Sequence, residues 1–231
     1  MSSNKIKVVL IGNSNVGKTS IINQFLRKNS EEENTKLSGD KFEKELKIEY
    51  NSKVENLILE IWNSAGREEI KSVNAIFIKN AKIIIFVYDS TNAKSFNDLK
   101  QIWFPLVNKY LDLDFDKMIK CVCANKSDLY EDKEVQIEEG QNFKNEINAD
   151  IFIETSAYDY ESVEELFVNC GKCYLEKKNI NKNDTYIEDK DVSKDKIKNH
   201  NNEMTHIKME EVKSSKEEGI LSDCCKHCCI F

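Results

Sequence analysis

Between residue 5 and about residue 177, short β-branched runs alternate with segments of helical spacing, and that alternation narrows the possible folds more than any other feature of the chain. KIKVVLIG (5–12), AKIIIFVYD (81–89), MIKCVCAN (118–125) and DIFIET (150–155) are apolar on both faces, which predicts central, mostly parallel strands covered on both sides. KSFNDLKQIWFPLVNKY and ESVEELFVNCGKCYLEK have helical spacing; in the second, Val163, Leu166, Phe167, Cys170 and Tyr174 share one face. FEKELKIEYNSKVENLILEIW (42–62) alternates with period two around YNSK and predicts a hairpin beside the parallel strands. Beyond 177 the chain turns to Lys, Asn, Asp and Glu with few aromatics. Such a composition cannot bury enough apolar surface to offset its ordering entropy, so a flexible linker is expected over 178–223. No internal repeat is apparent.

At 231 residues the chain holds one sizeable domain with a buried core, not two. A net charge of -7, from 34 basic against 41 acidic residues, argues against nucleic acid as a partner. The longest apolar stretch, IIIFVY (83–88), is far short of the roughly 20 residues that span a bilayer. The amino terminus, MSSNKIK, has no apolar h-region of a secretory signal, so the chain is expected in the cytosol. Four of the eight cysteines lie in the last eight residues. The other four, Cys121, Cys123, Cys170 and Cys173, sit in apolar segments and are expected to be small buried hydrophobes with free thiols.

GNSNVGKT (12–19) matches GxxxxGKS/T directly after the first strand and before the helical TSIINQFLRK. Glycines let the backbone wrap close to phosphate oxygens with its amides inward, and the helix amino terminus adds positive potential. In that chemistry Lys18 bridges the β- and γ-phosphates and Thr19 ligates Mg²⁺ through its hydroxyl. The alternative is a glycine-containing strand-to-helix turn with no ligand.

NKSD (125–128) stands at the end of a predicted strand. One carboxylate accepts two parallel N–H bonds from guanine N1 and N2, which adenine cannot supply, so Asp128 would select the base. Asn125 would brace the loops and the stem of Lys126 would lie along the ring. A second strand ends in ETSA (154–157), where the amide of Ala157 would reach guanine O6. Either tetrapeptide alone is also a common loop. Together, downstream of a phosphate loop, they make a single site at the carboxyl edge of the sheet.

GNSNVGKT, WNSAG, NKSD and ETSA, in that order and spacing, resemble the motif set of the Ras superfamily of small GTPases, and VYDST, LEIW and SVNAIFIKNA resemble its Rab branch. The resemblance covers residues 5 to about 177 and implies an α/β P-loop G domain over 1–177. Its sheet would be mostly parallel and six-stranded, with one antiparallel edge strand and helices on both faces. It implies GTP or GDP and Mg²⁺ as ligands, held by Gly12, Asn13, Ser14, Asn15, Val16, Gly17, Lys18, Thr19 and Ser20. Asn63 and Gly66, then Asn125, Lys126, Asp128 and Leu129, then Thr155, Ser156 and Ala157 complete the implied set. It further implies a monomer whose nucleotide state sets the shape of residues 30–42 and 64–78. Effectors would read Phe42, Trp62 and Phe77 there, with ordinary hydrophobic packing as the plainer role of that trio. Exchange factors, a prenylation escort and a dissociation inhibitor are implied partners, in vesicle traffic on the cytoplasmic face of an endomembrane with a cytosolic pool.

The catalytic rim departs from this pattern. The family's DxxG followed by glutamine is here Asn63, Gly66 and Arg67. A neutral amide supplies no charge to hold the metal shell, and an arginine has only donors, so it cannot accept a proton from attacking water. The switch threonine is replaced by Leu37, with Thr35 and Ser38 as the substitutes a differently folded loop offers, while Gly39 and Phe42 keep the register. Ser30 stands where an aromatic covers the guanine edge, and the hairpin is about three residues longer than the family's. Nucleotide binding with very slow hydrolysis is the expectation; Arg67 as a built-in cation that stabilises transition-state charge is the alternative.

The chain ends SDCCKHCCIF, and Cys228, Cys229, Ile230 and Phe231 fit both CaaX and CCxx endings, with geranylgeranyl favoured by the final Phe. One lipid anchors only marginally, so paired prenylated cysteines at Cys228 and Cys229 make physical sense; Cys224 and Cys225 are palmitoylation sites or spare. With 10 Lys against 11 acidic residues over 177–223, no polybasic patch shares the anchoring. A zinc site from Cys224, Cys225, His227, Cys228 and Cys229 competes with this reading of the tail at 224–231. For the whole chain, two other classes compete: a non-cycling adaptor stabilised by nucleotide, and a P-loop kinase using Lys18, which gives no reason for NKSD plus ETSA.

Overall fold

The computed structural model describes residues 5–27, 36–38, 41–63, 75–111 and 118–191. Seven strands form one sheet: β1 (Lys5–Ile11), β2 (Lys36–Ser38), β3 (Lys41–Tyr50), β4 (Lys53–Asn63), β5 (Ile83–Asp89), β6 (Ile119–Asn125) and β7 (Ile151–Thr155). Their order is β2-β3-β4-β1-β5-β6-β7. β4, β1, β5, β6 and β7 pair in parallel, and β3 is antiparallel to both of its neighbours. The six long strands and the single reversed strand match the expected sheet. The seventh, β2, has three residues with a register irregularity, too short to show as a period-two pattern, and it lies outside the strand expected at the edge.

Alternation along the parallel strands divides the interior into two cores. Val8, Leu10, Ile83, Ile85, Cys121 and Cys123 face one side, where α1 (Lys18–Arg27) and α6 (Tyr160–Asp191) pack. Phe25 of α1 stacks on Phe167 of α6 with ring centroids 3.9 Å apart. Val9, Ile11, Ile84, Phe86, Val122 and Ala124 face the other side, under α2 (Ala75–Ile78), α3 (Ala93–Asp98), α4 (Phe104–Leu111) and α5 (Ile137–Glu146). Each Val, Leu, Ile or Phe side chain among them, fully buried, contributes roughly 1.5–3 kcal/mol, which is why the doubly apolar runs end up in the middle of the sheet. Cys121, Cys123 and Cys170 are buried free thiols and Cys173 is half-buried. Burial pushes the Cys123 thiol up to about 12, so it stays neutral and packs as a hydrophobe.

Two local features follow from single residues. At the hairpin tip Tyr50 pairs with Lys53, and Asn51 and Ser52 both have positive φ, 50° and 60°, the two-residue turn whose twist matches that of the strands. Between α3 and α4 the chain makes a π-helical turn, Leu99–Trp103, and the Phe104 amide donates to the Leu99 carbonyl. Pro105 follows immediately and has no amide to continue an α-helical ladder, so the extra residue is absorbed there.

α6 continues to Asp191, and the compact unit runs to Glu188, beyond the boundary expected at 177. Its packing onto the sheet includes Leu175, and Lys177 donates to the Met118 carbonyl at 2.9 Å and pairs with Asp150 at 2.8 Å. Among the described residues no helix is long and apolar enough to cross a membrane.

Candidate functional site

The sequence motifs meet at the carboxyl ends of β1, β6 and β7. Gly12 and Gly17 have φ of +153° and +97°, and Asn15 has +62°, which curls residues 12–17 into a loop before α1. Lys18, only 3% exposed, spans that loop: its Nζ donates to the Gly12 carbonyl at 2.9 Å and the Asn13 carbonyl at 2.5 Å. A buried ammonium across a loop at a helix start forms a cradle suited to an anion.

The NKSD and ETSA segments are tied to the cradle and to each other. Asn125 donates through Nδ2 to the Val16 carbonyl at 2.8 Å and accepts through Oδ1 from the Thr155 hydroxyl at 3.1 Å, bracing the loops as expected. The Ser127 amide donates to the Thr155 carbonyl. Lys126, at φ +66°, donates to Asp89 at 2.5 Å and leaves Asp128 exposed at the cavity wall. The Ser156 amide donates to the Ser162 hydroxyl and the Tyr158 amide to the Ser156 hydroxyl, which sets the turn carrying Ala157.

These segments enclose a cavity of about 670 Å³, lined by Ser14, Asn15, Gly17, Lys18, Thr19 and Ser20, by Asn125, Lys126, Asp128 and Leu129, and by Ala157. It falls in the roughly 300–1,000 Å³ range of small-molecule and cofactor sites. Val16, Thr155 and Asn13 are among the expected residues whose side chains do not line the cavity. Val16 is buried in the core. Thr155 is fully buried behind Asn125. The Asn13 side chain turns away, donating to Asp98 at 2.7 Å and accepting from the Trp103 indole at 2.6 Å, so the π-helical turn holds the loop from behind. Sequence reasoning missed Asn23, Gln24, Arg27 and Tyr158, which also line the cavity. The first three had a readable signal: with Ser20 they form a polar stripe at helical spacing on α1.

A glycine in the wall is testable. A Cβ at Gly17 lies 2.1 Å from Asn125 Nδ2, in backbone geometry that L residues rarely adopt. Gly17→Ala is therefore expected to break the Asn125–Val16 tie and cost about 3 kcal/mol of stability, together with nucleotide affinity; thermal melts with and without nucleotide check both.

The metal position is where the site departs. Asn63, at the end of β4 and 3% exposed, donates through Nδ2 to Thr19 Oγ1 at 2.9 Å. The hydroxyl expected to face Mg²⁺ thus accepts a hydrogen bond from a neutral amide. Turned about, the amide would offer a carbonyl oxygen, still without charge. Among the described residues Asp128, at the base end, is the cavity's carboxylate. Hard divalent cations prefer charged oxygen ligands, so this donor set fits a loosely held ion with Thr19 as its protein ligand and not a tightly held one. Gly66, Arg67, Ser30, Thr35, Cys224, Cys225, His227, Cys228 and Cys229 lie outside the described residues, as does most of the expected switch sequence.

The expected effector trio does not form one surface. Lys41, not Phe42, pairs with Trp62 across the hairpin. Phe42 consequently packs against the core of α1 and α6, while Trp62 joins the other core and meets Phe77 edge-on at 5.6 Å. A shift of one residue in register moves a side chain to the opposite face.

Compared with known proteins, residues 7–176 match the family model described as Ras family. Ras-related protein Rab-4A of Danio rerio is 33% identical over 176 residues, covering 74% of this chain and 76% of the relative. Ras-related protein Rab-12 of Mus musculus is 32% identical over 173 residues, covering 75% and 68%. With the cradle, the base loops and the sheet order all in place, the chain belongs to the Ras superfamily of small GTPases, in its Rab branch.

Proposed function

We propose that this chain is a guanine-nucleotide-binding switch of intracellular vesicle traffic whose GTP hydrolysis is very slow. Binding is supported by the convergence of the residue 12–19 loop and Asp128 on one cavity. Slow turnover is carried by one observation, the Asn63 amide on the Thr19 hydroxyl. A rim with no carboxylate there, Leu37 for the switch threonine and Arg67 for the glutamine has lost the groups that hold the metal shell and orient water. The ligands are GTP and GDP, with Mg²⁺ loosely held. The anchoring is by prenyl chains on Cys228 and Cys229, to the cytoplasmic face of an endomembrane, and effector, exchange-factor and escort proteins are the partners.

The experiment is nucleotide analysis of denatured purified protein followed by single-turnover hydrolysis. GDP or GTP is expected in the extract, with an intrinsic rate below about 10⁻⁴ s⁻¹. Neither nucleotide in the extract, with no uptake of added nucleotide, overturns binding. A rate at or above that of ordinary Rab proteins overturns slow turnover and supports Arg67 as the built-in cation. The same Asn63 contact also favours a second reading, a nucleotide-stabilised adaptor; equal effector binding in the GDP and GTP forms would identify it.

A further inference from the structure

At the amino ends of β1 and β5, the opposite edge of the sheet from the nucleotide cavity, lies a cleft of about 510 Å³. Its lining includes Lys5, Lys7, Lys79 and Lys82, with Glu60 and Trp62 in the wall. We propose that this cleft docks an extended acidic segment of a partner protein. The inference does not depend on the nucleotide reading.

Charge is the first argument. Among the described residues that line the cleft or pair at its rim, five lysines, with Lys41 at the rim, stand beside two carboxylates, Glu43 and Glu60, an excess of positive charge on a chain whose net charge is -7. Glu60 is already engaged by Lys5 and Lys41, each at 3.3 Å, and by the Trp62 indole at 2.7 Å. The Lys7 Nζ donates to the Lys79 carbonyl at 3.0 Å and sits 3.9 Å over the Trp62 ring, and the Lys41 Nζ sits 4.2 Å from the same ring. Burial first, and then Lys41, lowers the Lys7 amine to about 8, whereas an arriving anion would favour its charged form.

Spacing is the second argument. Lys5 and Lys7 are alternate residues of one strand face, about 6.6 Å apart along β1. An extended peptide with acidic residues at every second position repeats its carboxylates at that same spacing, and the Trp62 wall accepts the aliphatic parts between them.

The probe is a fluorescein-labelled peptide alternating glutamate with threonine, its glutamine counterpart as control, and the full chain with GDP added. Anisotropy is expected to rise with the glutamate peptide only, accompanied by a change in Trp62 emission, since Trp103 is buried. Binding should weaken about tenfold in Lys5→Gln/Lys82→Gln, both exposed positions, with an unchanged thermal melt checking the fold because Lys5 pairs with Glu43 and Glu60, and should fall with added salt. Equal binding of both peptides, or no binding at millimolar peptide, overturns the proposal. Association with phosphatidylserine vesicles that is lost in the double variant, with no peptide binding, overturns it in favour of a membrane surface.

Discussion

Asp128→Asn is expected to weaken GDP and GTP binding on the order of 10⁴-fold, the size of discrimination seen when a site built around a substrate's N–H groups loses its acceptor. Asp128 is poised for this by its neighbours: the Leu129 amide closes a turn on the Lys126 carbonyl, and Lys126 is held by Asp89. The variant's amide nitrogen would face guanine N1–H donor to donor, leaving both desolvated and unpaired. The same change offers a donor to a base with an oxygen at position 2, so xanthosine diphosphate should bind better to the variant than to the unchanged protein. Calorimetry with both nucleotides reads the exchange. Undiminished GDP affinity would show that Asp128 is not the base reader.

Replacing Asn63 by aspartate should convert nucleotide retention from nearly metal-independent to metal-dependent. A unit charge about 4 Å from a partner charge in a partly screened site is worth about 4 kcal/mol, so a carboxylate there should tighten Mg²⁺ by on the order of 10³-fold. In the unchanged chain, chelation by EDTA is expected to accelerate release of a fluorescent GDP less than about threefold; in Asn63→Asp the acceleration should be on the order of 10²-fold. The fold should tolerate the change, because the Thr19 hydroxyl, now 2.9 Å from the amide, can donate to a carboxylate instead. Rapid EDTA-driven release from the unchanged protein would contradict the loose metal site. Hydrolysis should recover little, since Arg67 still supplies no acceptor for water.

Much of the site was legible because its chemistry is local. The loop at residues 12–19, the tetrapeptides at 125–128 and 154–157, and the strands that present them carry their signals within a few neighbouring residues. Asn63 was equally visible as a missing carboxylate, although that its amide lands on Thr19, 44 residues away in sequence, was not. Asn13 shows the limit more plainly. Its place in the phosphate loop suggested a ligand contact, whereas its side chain reaches Asp98 and Trp103 across a π-helical turn that no periodicity reveals.

By itself the sequence determined that an α/β sheet would be built, which runs would lie in its middle, and that the loops at its carboxyl edge would carry the phosphate-loop and NKSD signals, because burial on two faces and loop chemistry are written in consecutive residues. Only the tertiary structure decided the pairing of Lys41 with Trp62, the clasping of that ring by Lys7 and Lys41, and the cleft beyond it. Cross-strand register is chosen by the packing of two faces at once. A slide of a single residue leaves the alternating pattern intact while exchanging every side chain between core and surface.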